Sequence, residues 1–282
     1  MEVLILSDLS ITPFLKWAGG KRQLIKYIRD YVPLEYNKYY EPFVGAGAVF
    51  FDLLPDNAVI NDINSELINV YNVIKYNVEE LISDLKKHKN SAEYFYSIRE
   101  LDRNITLYES LSDVEKASRT IFLNKTCYNG LYRVNKSGHF NTPFGKYKNP
   151  EIVNADLLRK ISEYFNNSHI IILNRDFEDA IIDVSSGDFV YFDPPYDPLT
   201  ETSNFTSYYQ LKFGKDDQIR LKKVCDELNK KGIKFLLSNS NTDFILDLYS
   251  EYNIEFIKAK RAINSNPNKR GEITEILVRN YD

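Results

Sequence analysis

The sequence predicts an α/β protein whose sheet has helices on both faces and is interrupted by an inserted, mainly helical segment. Three observations indicate this fold. A strand, a glycine turn and a helix follow one another at residues 39–51, the alternation of strands and helices stops between Ser65 and about Asn166, and it resumes at Ile170. Strands on both sides of a helical stretch are typical of one discontinuous α/β domain that carries an insertion.

The first part of the predicted sheet contains two strands. A Gly-Gly pair at 19–20 precedes a helix in which Leu24, Ile25 and Ile28 share one face. Such a turn is either a simple connection or a loop that brings backbone N–H groups toward an anion. The first strand begins near Tyr39, and the second covers residues 58–62.

The inserted segment combines helices with one hairpin. Its helical patterns, rich in Leu, Ile, Glu and Lys, cover residues 65–88, 92–103 and 113–126. A β-hairpin is predicted from two short runs, 131–134 (LYRV) and 139–141 (HFN), joined by a turn at 135–138. An extended loop, 142–150, follows it.

The second part of the sheet is predicted from five apolar runs and three helical patterns. The strands are expected at 170–173, 187–192, 234–238, 254–257 and 274–278. The helices are expected near 178–183, at 215–231 and at 243–250.

Composition is that of a globular protein without a membrane span. The chain has 282 residues, 43% of them hydrophobic and 27% charged, which suffices for a sizeable core. No run approaches the roughly 18 apolar residues that a bilayer requires. Residues 1–6 are apolar, but they lack a basic lead and Asp8 interrupts them, so we expect no signal peptide and a cytoplasmic protein.

Metal and disulfide sites are not expected. Two cysteines, Cys127 and Cys225, are too few for a disulfide framework or a thiolate metal site, and we expect them to be packing residues. The three histidines, His88, His139 and His169, do not have metal-ligand spacing.

Charge is distributed unevenly along the chain. The net charge of −4 alone argues weakly against a nucleic-acid partner. Residues 117–148, however, contain six cations and no acid, and a second acid-free stretch with five cations covers 258–270. Aromatic residues interleave the first basic stretch, as expected of a surface that contacts phosphates and base edges. A solvated basic face is the alternative.

A glycine turn and an acid after the first two strands predict a nucleotide-type cofactor. Gly45 and Gly47 let a ligand lie against the backbone, and Asp62 can hold ribose hydroxyl groups. Because the third glycine of the dinucleotide fingerprint is absent, an adenosine-type cofactor is favoured over NAD. A glycine turn with a surface aspartate is the alternative.

The stretch Asp193-Pro194-Pro195-Tyr196 follows a buried strand and is the predicted catalytic motif. Proline lacks an N–H group and has a fixed φ, so the backbone is stiff where it leaves the sheet. The Asp193 carboxylate and the Pro194 carbonyl can together accept two hydrogen bonds from one amino group, and Tyr196 offers a flat face for stacking. A strand end closed by an acid and prolines is the alternative.

Six stretches in this order resemble one family, the Dam-type DNA adenine-N6 methyltransferases that act on GATC. Within it the chain is most similar to the modification methylases of DpnII-type restriction systems. The six stretches are 13–21 (PFLKWAGGK), 41–47 (EPFVGAG), 61–62 (ND), 128–133 (YNGLYR), 140–145 (FNTPFG) and 192–196 (FDPPY).

The resemblance implies a Rossmann-like methyltransferase sheet with helices on both faces and an inserted helical DNA-recognition domain that carries a β-hairpin. It implies a catalytic domain of residues 1–64 and 167–282 and a target-recognition domain of residues 65–166. The cofactor would be S-adenosylmethionine, with S-adenosylhomocysteine as product, and no metal. The substrate would be double-stranded DNA, and the enzyme a monomer without membrane contact whose functional partner is a restriction endonuclease encoded nearby.

The family's functional residues carry over to matching positions here. Catalysis falls to Asp193, Pro194 and Tyr196. The implied cofactor-binding residues are Trp17, Lys21, Phe43, Gly45, Gly47, Asp62, Asp176, Phe177 and Asp193. The implied DNA-binding residues are Lys16, Tyr128, Asn129, Leu131, Arg133 and Lys146, with Arg133 the best candidate for a contact with guanine. Residues 201–208 either close over a flipped base or form a plain surface loop.

Three competing functions stay open from sequence. Asp-Pro-Pro-Tyr suits any exocyclic amino group, so an N4-cytosine methyltransferase and an RNA-adenine methyltransferase are alternatives. A DNA-binding module with an inactive nucleotide fold is the third, although the intact Asp193 and glycine turn argue against it.

Overall fold

The computed structural model describes residues 10–17, 20–21, 23–198, 213–260 and 272–282. Within them, seven strands form one sheet: β1 (Tyr39–Glu41), β2 (Asn57–Asn61), β3 (His169–Leu173), β4 (Phe189–Phe192), β5 (Lys234–Ser240), β6 (Asn253–Lys260) and β7 (Glu272–Arg279). The α-helices are α1 (Ile25–Tyr31), α2 (Phe50–Leu53), α3 (Ser65–Tyr76), α4 (Val78–Leu85), α5 (Ala92–Glu100), α6 (Ile105–Ser110), α7 (Asp113–Thr126), α8 (Ala155–Asn167), α9 (Lys215–Lys230) and α10 (Asp243–Leu248).

The strand order is β3-β2-β1-β4-β5-β7-β6. The first five strands in this order are parallel, and β7 lies antiparallel between β5 and β6. In the centre, Tyr39 of β1 is in register with Ala58 of β2 on one side and Phe189 of β4 on the other. The order reverses between β1 and β4, and ligands of open α/β sheets bind beyond the carboxyl ends of strands at such a reversal.

Two apolar cores cover the two faces of the sheet. The core on one face joins Tyr39, Ile60 and Phe189 of the sheet to buried residues of α3 and α8. The core on the other face joins residues of β4 and β5 to α9 and α10, and includes the buried Cys225. This layered α/β arrangement confirms the predicted sheet with helices on both faces.

A third, smaller core lies under the predicted hairpin. Its buried residues are Phe95, Phe122, Leu123, Cys127, Tyr132, Val134 and Phe140. Both cysteines are buried, as predicted for packing residues, and burial raises the pKa of the Cys127 thiol to about 12. The helices α3 and α8 at the two ends of the inserted segment contribute to the main core, and the division into two domains at 64/65 and 166/167 stays a prediction.

The helices of the inserted segment differ in detail from the prediction. The pattern at 65–88 is two helices, because Asn77 has a non-helical conformation (φ −138°, ψ 40°) between α3 and α4. Two helices, α6 and α8, were not predicted, although Asn104 and Asn154 cap their first turns with side-chain oxygens. The helix expected near 178–183 is one 3₁₀ turn, Asp179–Ile181.

The predicted hairpin is reduced to isolated pairing. An antiparallel bridge joins Val134 to Phe140, and a second joins Cys127 to Phe144, without a continuous pair of strands. The backbone N–H of Asn135 donates to the carbonyl of His139 across the turn (2.9 Å). We call residues 131–142 the recognition hairpin below, after the role that the family resemblance predicts for them. The described helices include none that is long and apolar enough to cross a bilayer.

Candidate active site

Residues from four parallel strands meet at the carboxyl edge of the sheet. The glycine turn follows β1, Asp62 follows β2, Asp176 and Phe177 follow β3, and the motif 193–196 follows β4. Because these strands are adjacent and parallel, their carboxyl ends lie together. The structure thus brings the predicted catalytic motif beside most of the predicted cofactor residues.

The glycine turn requires glycine at both positions. Gly45 and Gly47 have φ values of +50° and +72°, in the left-handed region. A Cβ atom on Gly47 would lie 2.8 Å from Tyr71 Oη, and one on Gly45 would lie 3.1 Å from Trp17 Cδ1. The turn is therefore closed on its inner side, and its peptide groups form a wall against which a flat ligand can lie.

Asp62 is held at this turn by backbone donors. The N–H of Gly45 donates to Oδ2 of Asp62 (3.0 Å), and the N–H of Asn64 donates to Oδ1 (2.9 Å). Asn64 also caps α3 by accepting from the N–H of Leu67, which sets the chain direction after Asp62. Burial raises the pKa of Asp62 to about 6, against the opposing effect of the two N–H donors.

Aromatic rings lie beside the glycine turn. Phe43 and Phe177 are stacked with centroids 5.3 Å apart. The Asp176 carboxylate pairs with Arg220 of α9 at 2.9 Å, and the Arg220 guanidinium lies 4.9 Å above the Phe177 ring. Asp176 and Phe177 are thus anchored to the same helix, and Phe43 and Phe177 pack together.

Trp17 lies between the glycine turn and the recognition hairpin. Its indole faces Gly45 and stacks on Tyr132 with a centroid distance of 4.8 Å and an interplanar angle of 25°. This contact links the predicted cofactor side to the predicted DNA side.

Asp193 is the centre of a buried polar cluster. Lys21 Nζ lies 2.7 Å from its Oδ1, and the Ser238 hydroxyl donates to the same oxygen (3.0 Å). Ser238 follows three apolar residues of β5 and also shares a hydrogen bond with the Tyr191 hydroxyl (2.9 Å). Burial raises the pKa of Asp193, while the charge and hydrogen bond of Lys21 and the bond from Ser238 oppose that rise.

The remaining acceptors of the motif point to its chemistry. Within the described part of the chain, Asp193 Oδ2 and the Pro194 carbonyl have no hydrogen-bond donor. The next carbonyl, of Pro195, accepts from Gln218 (2.9 Å), and Gln218 is in turn held by Asn239 (3.0 Å). The motif therefore has a fixed backbone and two acceptors available to an external donor.

Tyr196 is held at both its ring and its hydroxyl. Lys21 Nζ lies 4.5 Å from its ring centroid, and its hydroxyl donates to Glu275 of β7 (2.8 Å). We predicted Lys21 as a cofactor residue from the resemblance, and the structure places its ammonium group between Asp193 and Tyr196. Its contact with the cofactor stays a prediction.

A second acid, Glu41, is buried close to this cluster. It accepts a hydrogen bond from the Tyr39 hydroxyl (2.6 Å). Its pKa is raised well above the ordinary value, mainly by burial and also by the charge of Asp193, whereas Tyr39 and Lys21 oppose the rise. Glu41 is therefore a second buried acid near Asp193, and its surroundings disfavour its charged form.

The predicted DNA-binding residues form one surface at the recognition hairpin. Asn124 of α7 connects Lys16 to the segment that begins at Tyr128. Its Oδ1 accepts from the Lys16 N–H (3.0 Å), and its Nδ2 donates to the carbonyls of Lys16 (2.7 Å) and Gly130 (3.1 Å). Lys16, Tyr128, Asn129 and Lys146 are exposed, whereas Leu131 and Arg133 are half-buried. Asn129 and Lys146 have φ values of +58° and +55°.

The basic stretch 117–148 is not a uniformly exposed face. Arg119 is buried and pairs with Asp102 (2.7 Å), so it is a structural cation rather than one available to DNA. Lys125 is partly buried, and burial lowers its pKa. Most of the second basic stretch, residues 1–6, Gly19 and the 201–208 loop lie outside the described residues.

Several residues of the site were missed from sequence. Ser238 and Asn239 follow apolar residues of β5. Polar residues at the carboxyl end of a parallel strand lie where ligands bind, which is how Asp62 and Asp193 were predicted, and the same reasoning could have identified these two. Glu275 and Asn124 carried no local signal, because an antiparallel strand and a helix bring them to the site from distant parts of the chain. Among the described residues no group of three His, Cys, Asp or Glu side chains could hold a metal, and a metal-free enzyme stays a prediction.

Comparison with known proteins gives consistent matches over most of the chain. Residues 17–263 match the model of the family described as D12 class N6 adenine-specific DNA methyltransferase. The chain is 47% identical over 283 residues to Type II methyltransferase M1.LlaDCHI of Lactococcus lactis subsp. cremoris, covering 100% of this chain and 99% of that relative. It is 43% identical over 294 residues to Type II methyltransferase M.MjaIII of Methanocaldococcus jannaschii (97% and 100%). It is 34% identical over 269 residues to a DNA adenine methylase of Escherichia coli (94% of each).

Proposed function

The chain belongs to the D12 class N6 adenine-specific DNA methyltransferases, and we propose that it methylates adenine within GATC as the modification enzyme of a restriction–modification system. Family membership confirms the resemblance predicted from sequence and makes DNA the substrate. It favours adenine in DNA over the cytosine and RNA alternatives. Two relatives are named Type II methyltransferases, which supports the modification role.

The observation that carries the proposal is the arrangement of acceptors at Asp193 and Pro194. The lone pair of an exocyclic amino group is delocalised into its ring, so this nitrogen is a weak nucleophile. Hydrogen bonds from the amino group to Asp193 Oδ2 and the Pro194 carbonyl would orient it and favour the positive charge that develops during attack. Lys21 and Ser238 on Oδ1 keep the carboxylate oriented for this role.

The carboxyl edge of the sheet fits S-adenosylmethionine, the cofactor that the family implies. Asp62 would hold the ribose, the Gly45–Gly47 wall and Trp17 would flank the ligand, and Phe43 with Phe177 and Asp176 would hold the adenine ring. Their proximity at one edge supports this assignment. When bound, the cofactor would supply a sulfonium methyl group: the N6–CH3 bond forms as the S–CH3 bond breaks, the sulfur keeps the electron pair as the neutral thioether of S-adenosylhomocysteine, and the proton that N6 loses passes to solvent water.

An adenine inside a duplex cannot reach these acceptors, so we infer that the base is flipped out of the helix. Tyr196 would be its stacking platform, since Glu275 holds the ring by its hydroxyl. The Lys21 ammonium contacts both that ring and Asp193, and so it links the proposed platform to the proposed acceptor. On the DNA side, Lys16, Tyr128, Asn129, Leu131, Arg133 and Lys146 form the proposed contact surface.

The test is methyl transfer from labelled cofactor to two duplexes of equal composition, one with GATC and one with those four bases scrambled. We expect incorporation only into the first, together with protection of plasmid DNA from a nuclease that cuts unmethylated GATC. Equal rates on both duplexes would overturn the sequence claim. Asp193→Ala should lower the rate by at least about 100-fold, because it removes a main acceptor for the developing charge.

A further inference from the structure

We propose that Asn141 is a specificity-determining positioning residue, which orients Arg133 so that it presents one edge to a guanine. The inference rests on the proposed role of Arg133 as the residue that contacts guanine. Arg133 Nε donates to Oδ1 of Asn141 at 2.6 Å, and Nη2 approaches the backbone carbonyl of the same residue at 3.5 Å.

These two contacts occupy one edge of the guanidinium group. A guanidinium is a rigid plane with five N–H donors, and its Nε–Nη2 side and its Nη1–Nη2 end can each engage a pair of acceptors. With the side edge on Asn141, the end edge is left for a second pair of acceptors. Bidentate contact with O6 and N7 of guanine needs such a pair of parallel donors.

Asn141 is itself fixed from two directions. Its backbone N–H donates to the Arg133 carbonyl (2.9 Å), and the next residue, Thr142, is buried and donates from its hydroxyl to the Leu131 carbonyl (2.6 Å). The two arms of the recognition hairpin are therefore held in register on both sides of the Arg133–Asn141 pair.

The preceding residue, Phe140, anchors this arm to the helical segment. Its N–H donates to Asp102 (2.8 Å), its carbonyl accepts from Arg103 (2.7 Å), and its ring is buried. Asp102 is held by Arg119 of α7 at 2.7 Å and by Arg103. Asn141 thus has a rigid support, and little rotational freedom of Arg133 remains to be lost when DNA binds.

The experiment uses GATC duplexes in which the guanines of the site are replaced, one strand at a time, by 7-deazaguanine, which lacks the N7 acceptor. The measured quantity is the ratio of kcat/KM on normal DNA to kcat/KM on modified DNA. For the wild type we expect a ratio of about 5–150 at the guanine that Arg133 contacts. Asn141→Ala should bring this ratio close to 1, as should Arg133→Ala.

Two further variants separate positioning from general damage. Asn141→Asp keeps an acceptor for Nε and should retain a high ratio, even if its added charge lowers DNA affinity on all duplexes. Asn135→Ala removes an asparagine oxygen that accepts from Ser137 and His139 in the same hairpin, away from Arg133, and should also retain the ratio. Binding of S-adenosylmethionine by each variant reports whether it is folded.

The outcomes distinguish the inference from its premise. If Arg133→Ala keeps the wild-type ratio, the proposed role of Arg133 is wrong and the inference is overturned with it. If the ratio falls to about 1 in Arg133→Ala but stays at the wild-type value in Asn141→Ala, the premise stands and Asn141 does not position Arg133. Loss of the ratio in Asn135→Ala or in Asn141→Asp would also overturn the inference, because the effect would then belong to the hairpin as a whole.

Discussion

Lys21 Nζ lies 2.7 Å from Oδ1 of Asp193, in an ion pair that is almost fully buried on the lysine side. The pair joins the segment before α1 to the end of β4. It also counteracts the burial that raises the pKa of Asp193, so this lysine favours the ionised form of the proposed catalytic carboxylate.

Replacing Lys21 is expected to move the pH dependence of methylation. Lys21→Met removes a cation that lowers the pKa of Asp193, so that pKa rises and the ionised carboxylate forms only at higher pH. The acid limb of the kcat–pH profile should therefore shift upward. Lys26→Met, in α1 and with its ammonium over the Tyr27 ring, is the control and should leave the profile unchanged. An unshifted profile for Lys21→Met would contradict this role.

The hydrogen bond from Tyr196 to Glu275 is expected to affect base flipping. Tyr196→Phe and Glu275→Ala each remove this bond, which is worth about 1 kcal/mol, so each should lower kcat/KM about fivefold. The double variant should lose no more than either single one, since both act on one contact. Fluorescence of 2-aminopurine at the target position would measure the flipped fraction. Additive losses would show that the two residues act separately.

Cofactor binding is expected to depend on the ionisation of Asp62. With its pKa raised to about 6, Asp62 is protonated at pH 5 and ionised at pH 7.5. Ribose hydroxyls donate more strongly to the carboxylate, so the Kd for S-adenosylmethionine should fall as pH rises through about 6. Asp62→Asn should bind about tenfold more weakly at pH 7.5, without that dependence. A replacement of the exposed Asp179 by Asn should retain the wild-type profile.

Ionisation of Asp62 is expected to strengthen cofactor binding but to lower the stability of the fold. Between pH 4 and pH 6 the folded protein keeps a proton on Asp62 that the unfolded chain, with its ordinary pKa near 3.8, has released. The contribution of Asp62 to the free energy of unfolding should therefore fall as pH rises through this window and level off above about pH 6. Denaturant titrations of the wild type and Asp62→Asn would show the difference in slope.

The glycine turn offers a test with a matched control. Gly47→Ala adds a Cβ atom 2.8 Å from Tyr71 Oη at a positive φ, whereas Gly232→Ala adds one at φ +67° with no atom within 4 Å. The control should lose about 1–2 kcal/mol of unfolding free energy through backbone conformation alone. Gly47→Ala should lose more and also weaken cofactor binding, because Tyr71 anchors the Gly45 carbonyl (2.9 Å). Equal losses would show that the close approach to Tyr71 is relieved without cost.

Much of the fold could be predicted because its signals are local. Buried parallel strands appear as short apolar runs, so β2, β3, β4 and β5 were predicted within a few residues of their observed ends. The division of 65–88 into two helices and the weak pairing of the recognition hairpin were missed. The first depends on one residue, Asn77, which leaves the helical conformation inside a helical run. The second depends on distant residues as well, because Phe140 of the hairpin is bound by Asp102 and Arg103 and packs in one core with residues of α7.

By itself the sequence determined the family, the sheet with helices on both faces and the residues at the strand ends, because each depends on residues close together in the chain. Only the tertiary structure decided that Lys21 pairs with Asp193, that Glu275 holds Tyr196 from 79 residues away, and that Arg119 is a buried structural cation. Local propensity carries no information on such pairs, since strand order and the packing of helices on the sheet determine which distant side chains meet. The predicted catalytic motif was visible in the sequence, and the partners that orient it were not.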